Sequence, residues 1–171
     1  MDYVNGRPDS HDLSQSVLEL EAAVQREPHN VEAWFALGVK QQENEREQAA
    51  IHALLRALEL APEHAQARLA LAVSQTNEGQ RFAAYEAIRG WVQATPQYAS
   101  ALATHRAVNP ERADWSQSER FSDMIRCLVG IAAAAPPGGE LDADVQIALA
   151  VLLNINEVRC PKFRSPCASL T

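Results

Sequence analysis

Long apolar runs are missing from this chain. The most apolar stretch, LVGIAAAA at 128–135, is too short and too small-sided to span a membrane, and the first 30 residues hold no apolar core of a secretory leader. Aromatic residues are scarce, at 6% of the total, and no run alternates β-branched with polar side chains, so little here would build a strand. Positive charge is in deficit: 15 Lys and Arg against 22 Asp and Glu leave a formal charge of −7. Without a basic cluster, neither nucleic acid nor an anionic membrane is expected as a partner, and no membrane insertion is expected. Cysteine is limited to Cys127, Cys160 and Cys167, an odd number at spacings that fit no common zinc or redox motif. Free thiols in a cytoplasmic protein are the expectation. His11, His29, His52, His64 and His105 are scattered, with no His-Glu-x-x-His pair, and there is no Gly-rich phosphate loop or nucleophile elbow. The sequence therefore predicts no enzyme, no metal and no cofactor. The carboxylates of ENERE (43–47) read as a solvated helix–helix turn.

What is abundant is alanine, and it comes with a period. The length suits one domain, and the composition favours helix. Pro28, Pro62 and Pro96 are spaced 34 residues apart. Leu20, Leu54 and Ile88 fall in the same phase, as do the small residues Ser16, Ala50 and Ala84. Ala23 and Ala57 align too, but the third member of that set is Trp91, which predicts an atypical neighbour. Leu37–Gly38 and Leu71–Ala72 keep step on the intervening segments. Trp34, Leu37, Gly38, Ala50, Leu54, Ala57 and Pro62 together make the tetratricopeptide pattern, in which each repeat is two antiparallel helices, A and B. Small residues at 38, 50 and 57 admit close helix approach, large ones fill the gaps, proline ends helix B, and Asn30 caps the next helix A.

The fold class expected is all-α, a right-handed tetratricopeptide superhelix with an incomplete array. Residues 1–11 read as a disordered start and 12–106 as repeats, with helix B at 12–26, helix pairs at 31–60 and 65–94, and a further helix A from 97. The phase breaks at 107–117, an irregular hinge rich in turn and cap residues. Partial later repeats occupy 118–157, with a helix at about 118–134, a loop at APPGGE (135–140), and a helix A at 143–155 carrying Leu149–Ala150 at the Leu–Gly position. The tail, 158–171, reads as disordered. Leu37, Leu54, Leu58, Leu71 and Ile88 are the expected core. Helix 12–26 lacks a helix A and helix 143–155 lacks a helix B, so self-association through raw array ends is expected.

Helices A line the concave face of such an array. On the second full repeat the concave positions are Gln66, Leu69, Val73, Thr76 and Asn77, a stripe that turns polar toward its end. An asparagine amide there offers a donor and an acceptor to a peptide backbone. Asn77–Glu78–Gly79 also marks a helix end, where Asn and Gly favour left-handed backbone, so a capping role for Asn77 stands beside the groove role. The concave positions of the first full repeat, Glu32, Phe35, Val39, Gln42 and Glu43, are mostly apolar or acidic, and none is basic.

Three stretches resemble one family closely: the Glu32–Glu45 segment, the LELAP step at 58–62, and LALAVSQTNE at 69–78. The family is the receptor for the type 1 peroxisomal targeting signal, and DADVQIALAVLLNINE (142–157) is similar to its fifth repeat. The resemblance covers about 17–157, and the register break falls where the family has an irregular fourth-repeat hinge. It implies a non-enzymatic receptor that binds C-terminal Ser-Lys-Leu-type signals of cargo, works with the peroxisomal import machinery, and cycles between cytoplasm and peroxisomal membrane. By position it assigns peptide contacts to Val73, Thr76 and Asn77, and Asn154 to the groove. It also implies a truncated form with a weakened site, because the second half of the clamp belongs to later repeats. The tail begins Val158–Arg159, which codons resembling an intron start can encode, so read-through of a splice donor would account for it. The alternatives are a generic tetratricopeptide scaffold and a non-functional truncated product. A scaffold gripping acidic chaperone tails would need a basic clamp, which the acidic first repeat does not supply.

Overall fold

The computed structural model describes residues 10–134 and 142–157. Among these are eight α-helices, one 3₁₀ turn and no strand. The expectations for 1–9, 135–141 and 158–171, including the disordered start and tail, lie outside the described residues. The helices are α1 (Ser10–Arg26), α2 (Val31–Glu43), α3 (Glu47–Leu60), α4 (Ala65–Asn77), α5 (Arg81–Ala94), α6 (Ala99–Val108), α7 (Gln117–Ala133) and α8 (Ala143–Glu157). Turns of three residues join α2 to α3 and α4 to α5, which forces each pair antiparallel.

Local chemistry sets the starts and stops. The Asn30 side chain accepts from the Ala33 amide, His64 Nδ1 accepts from the Ala67 amide, and Ser116 with Glu119 forms a reciprocal capping box. The α4–α5 turn takes its left-handed residue from Gly79, φ 71°. One repeat earlier the same place is held by Glu45 at φ 57°, a conformation that disfavours a side chain.

The two regular pairs share a packing scheme. Leu37, Leu54, Leu71 and Ile88 are buried as expected, while Leu58 is only half-buried at the edge of the core. A Cβ on Gly38 would come within 2.6 Å of Leu54 Cγ, so glycine there is what brings α2 onto α3. Trp34 Nε1 donates to the Pro28 carbonyl at 2.9 Å, and Arg56 lies over its ring. One repeat on, Arg68 does the same work, donating to the Pro62 carbonyl at 2.7 and 3.0 Å. Gly90, which stands where Arg56 stood, leaves the room that Arg68 needs.

After α5 the scheme changes. Trp91, 1% exposed, packs edge-on against Tyr98 at 5.2 Å between ring centroids. This is the atypical neighbour that its size predicted. The 3₁₀ turn Pro96–Tyr98 leads into α6, the backbone is non-helical over 109–116, and α7 follows. No residue of α6 is buried. It is tied to α7 by a polar hub: buried Asp123 accepts from Arg106 at 2.6 Å and Arg126 at 3.3 Å, and pairs with His105 Nε2 at 2.9 Å. Burial pushes the Asp123 carboxyl up, but these donors together outweigh it and hold the group below its ordinary range.

α8 takes the place beside α4 that the next helix A would fill. Gln66 at the start of α4 donates to Asp144 at the start of α8, 2.8 Å, and Arg81, just past the end of α4, donates to the Ile155 carbonyl near the end of α8. The two helices therefore run parallel. Asp142, at the foot of α8, accepts from Gln97 at 3.0 Å and from the Tyr98 hydroxyl, whose pKa burial and this bond both raise. Val145, Ala148, Val151, Leu152 and Ile155 carry α8 into the same core as α4 and α5.

Candidate functional site

The first backbone bonds of α2, α4 and α8 run from Trp34 to Asn30, Arg68 to His64 and Gln146 to Asp142. This common start sets a shared register for the three helices A. Gln42, Thr76 and Asn154 each fall eight residues beyond the first bond donor, at one equivalent turn. Because α8 is parallel to α4, Thr76, Asn77 and Asn154 all lie toward the C-terminal ends of their helices, along one edge of the array.

Their environments differ. Val73 is half-buried and borders the main core. Thr76 is half-buried, and its hydroxyl donates to the Ala72 carbonyl at 2.8 Å, which leaves oxygen lone pairs but no proton to offer a ligand. Asn77 is exposed, and its Nδ2 donates to Glu47 Oε1 at the first turn of α3, 2.6 Å away. It is the last residue of α4 proper: Glu78 forms the C-cap and Gly79 takes the left-handed backbone. The amide of Asn77 thus plays no part in closing the helix, although the sequence allowed it that role. Asn154 is exposed on α8.

Of the other two residues expected on the concave stripe, one packs into the core and the other, exposed Gln66, makes a side-chain hydrogen bond. Leu69 is 4% exposed within the main core, and Gln66 is engaged with Asp144. The arrival of α8 beside α4 accounts for both. Sequence reasoning also passed over Gln42 as merely non-basic. Its Nε2 donates to the Ala70 carbonyl at 2.8 Å and Ser74 Oγ at 2.7 Å, lacing α2 to α4. The signal available was its register with Thr76.

Charge around Asn77 is mostly negative. Glu47 and Glu78 flank it, Gln48 donates to Glu78, and Glu47 Oε2 is buried without a hydrogen-bond partner among the described residues. Arg81 turns its guanidinium to the Ile155 carbonyl, and exposed Arg46 directly precedes Glu47. Such a rim favours a basic group and disfavours a carboxylate directly against it. A separate groove of about 630 Å³ opens between α6 and α7, lined by Ala101, Thr104, His105, Val108, Cys127 and Ile131 among others, and involves none of the four candidate residues. Burial raises the Cys127 thiol pKa there. Among the described residues no group of side chains could hold a metal ion, and no helix is long and apolar enough to cross a membrane.

The chain is 37% identical over 145 residues to the peroxisomal targeting signal receptor of Candida albicans, a match covering 85% of this chain and 24% of that protein. The receptor of Yarrowia lipolytica matches to the same extent. Over this stretch the chain is a homologue of the peroxisomal targeting signal receptors. The chain is also 57% identical over 49 residues to the PEX5-related protein of Rattus norvegicus, covering 29% of this chain and 8% of that one. It spans about a quarter of the length of the fungal receptors it matches. No family model matches the chain. Its fold is similar to that in the crystal structure of MamA, a TPR-like helical protein, with a TM-score of 0.51 at 19% identity over 92% of this chain and 96% of that one. That likeness bears on fold alone, and with the paired helices it makes this an all-α tetratricopeptide array.

Proposed function

We propose that this chain binds C-terminal Ser-Lys-Leu-type targeting signals of cargo proteins for import into the peroxisomal matrix, as a non-enzymatic part of a receptor moving between cytoplasm and peroxisomal membrane. The observation that carries the reading is the 145-residue homology to peroxisomal targeting signal receptors. Exposed Asn77 and Asn154 at one end of parallel α4 and α8 support it. In this reading the Asn77 amide holds the peptide backbone, Thr76 accepts from a peptide N–H, Val73 forms the apolar floor, and Asn154 contributes from α8. Glu47 and Glu78 suit the lysine of the signal, while its terminal carboxylate sits away from them. Partners would be cargo signals and the import machinery.

Calorimetry with a Ser-Lys-Leu-ending peptide tests this. The expected dissociation constant is tens of micromolar, since one array supplies only part of the contacts. Asn77→Ala should weaken binding about tenfold, the worth of one net hydrogen bond of about 1.4 kcal/mol. Affinity equal to that of a scrambled peptide, or an Asn77→Ala variant that binds as well as the parent, would overturn the assignment. An acidic chaperone-tail peptide serves as the control and should not bind.

A further inference from the structure

The polar side chains at the C-terminal ends of α2 and α4 share a property that their residue types do not announce. Gln42 spends both N–H groups within the fold, on the Ala70 carbonyl and Ser74 Oγ, which leaves Oε1 to accept. Thr76 spends its one proton on the Ala72 carbonyl. Asn77 spends an N–H on Glu47 Oε1 at 2.6 Å, and no hydrogen bond reaches its Oδ1 among the described residues. An asparagine amide can in principle show either atom to a ligand. Here the choice is fixed, because a carboxylate only accepts and so takes the nitrogen side. Glu47 is well placed to keep that hold. It is the first residue of α3, where the positive helix end favours a negative side chain, and the N-cap residue Arg46 makes no side-chain bond there. Among the described residues Asn77 is also the donor that Glu47 has, since Oε2 is buried without a partner.

Given peptide binding at this face, on which the inference rests, we propose that Glu47 is a positioning residue that makes Asn77 a hydrogen-bond acceptor, so that this part of the groove recognises N–H donors of the bound peptide and not its carbonyls. Glu47 touches no ligand in this role; it acts through Asn77. Gln42, Thr76 and Asn77 then offer acceptors side by side, which suits the backbone N–H groups along one edge of a peptide. A peptide carbonyl or the terminal carboxylate turned to the same place would meet oxygen with oxygen and lose its partner in water. Donors for those groups have to come from another part of the groove. Exposed Asn154 on α8, whose amide is bonded to no described residue, can supply them.

Ester-substituted peptides test this, read by NMR titration of the 171-residue chain. In each, one backbone N–H of a Ser-Lys-Leu-ending peptide is replaced by an ester oxygen, which removes a donor and keeps the carbonyl. The parent should bind the unmodified peptide and lose at least about tenfold in affinity for one of the esters. Asn77→Ala should weaken binding and remove that penalty, whereas Thr76→Val should keep it. Glu47→Ala should cut the penalty below about threefold, because the freed amide can turn Nδ2 outward. A residue that only supported the fold would lower affinity for all the peptides alike. If Glu47→Ala loses helical circular dichroism, Glu47→Gln replaces it, since a carboxamide can pair with either side of the Asn77 amide. Two results would overturn this proposal and leave the binding site standing: Asn77→Ala weakens binding while the parent tolerates every ester, or the Glu47 variant keeps the full penalty. A parent that does not bind the unmodified peptide, or an Asn77→Ala variant that binds it as the parent does, would overturn the site and this proposal with it.

Discussion

The regular pairs α2–α5 and the irregular group α6–α8 hold together by different means. In the first, neighbours in sequence are neighbours in space, and shape does the work: Gly38 beneath Leu54, small residues wherever helices cross closely. In the second, α7 and α8 also bury apolar side chains in the main core, and charged and polar fasteners are added to that packing. Asp123 ties α6 to α7, Asp142 ties the 3₁₀ turn to α8, and Gln66 and Arg81 clamp α8 along α4 from its two ends. A repeating interface can be copied from one repeat to the next. A fastener is particular to its place, which suits a point where the array changes direction in sequence but must stay continuous in its core.

The sharpest break in this comparison should come at the seam. Trp91→Ala removes a fully buried ring that packs on Tyr98 where the two regions meet, and should cost about 3–5 kcal/mol by urea unfolding. Hydrogen exchange should then show α6 and α8 opening before α2 and α3. Asp123→Ala leaves Arg106 and His105 without their carboxylate and should cost about 1.5–3 kcal/mol, loosening α6 while α2–α5 keep their protection. The same hub predicts an acid limit. Because folding lowers the Asp123 pKa, its contribution is complete above the ordinary carboxylate pKa of about 3.9 and is lost as pH falls through the lower folded value. Acid titration followed by α6 exchange should show that loss in the parent and not in Asp123→Ala.

Within the regular region, Gly38→Ala should destabilise by about 1–2 kcal/mol, overpacking against buried Leu54 exceeding the helix-propensity gain. The smallest effect should be a gain. Glu45→Gly relieves a left-handed backbone and should raise stability by about 0.5 kcal/mol, matching what Gly79 already does one repeat later.

The regular pairs were legible because their contacts recur at a fixed spacing. Pro28, Pro62 and Pro96 mark the phase, and Leu37, Leu54, Leu71 and Ile88 follow it into the core. The site was legible only in part. Asn77 could be read as cap or groove residue, since a helix end and a polar face coincide there; the backbone assigns the left-handed role to Gly79. The seat of α8 on α4 was hidden, because the partners are far apart in sequence and share no phase with the 34-residue period. Leu69 and Gln66 thus looked available when they were already engaged. Leu58, expected in the core, lies at its edge, a distinction that a helical stripe one residue wide does not resolve.

The exchange of Trp34 for Arg68 has a consequence for how such repeats diverge. Both side chains satisfy the same carbonyl one repeat apart, but each needs its own companion across the helix pair: Arg56 over the indole, Gly90 making way for the guanidinium. Neither position can drift alone without stranding the other. Inheritance here operates on couples of sites, so two repeats can differ at their most recognisable residue and still descend from one ancestor by a path of paired steps.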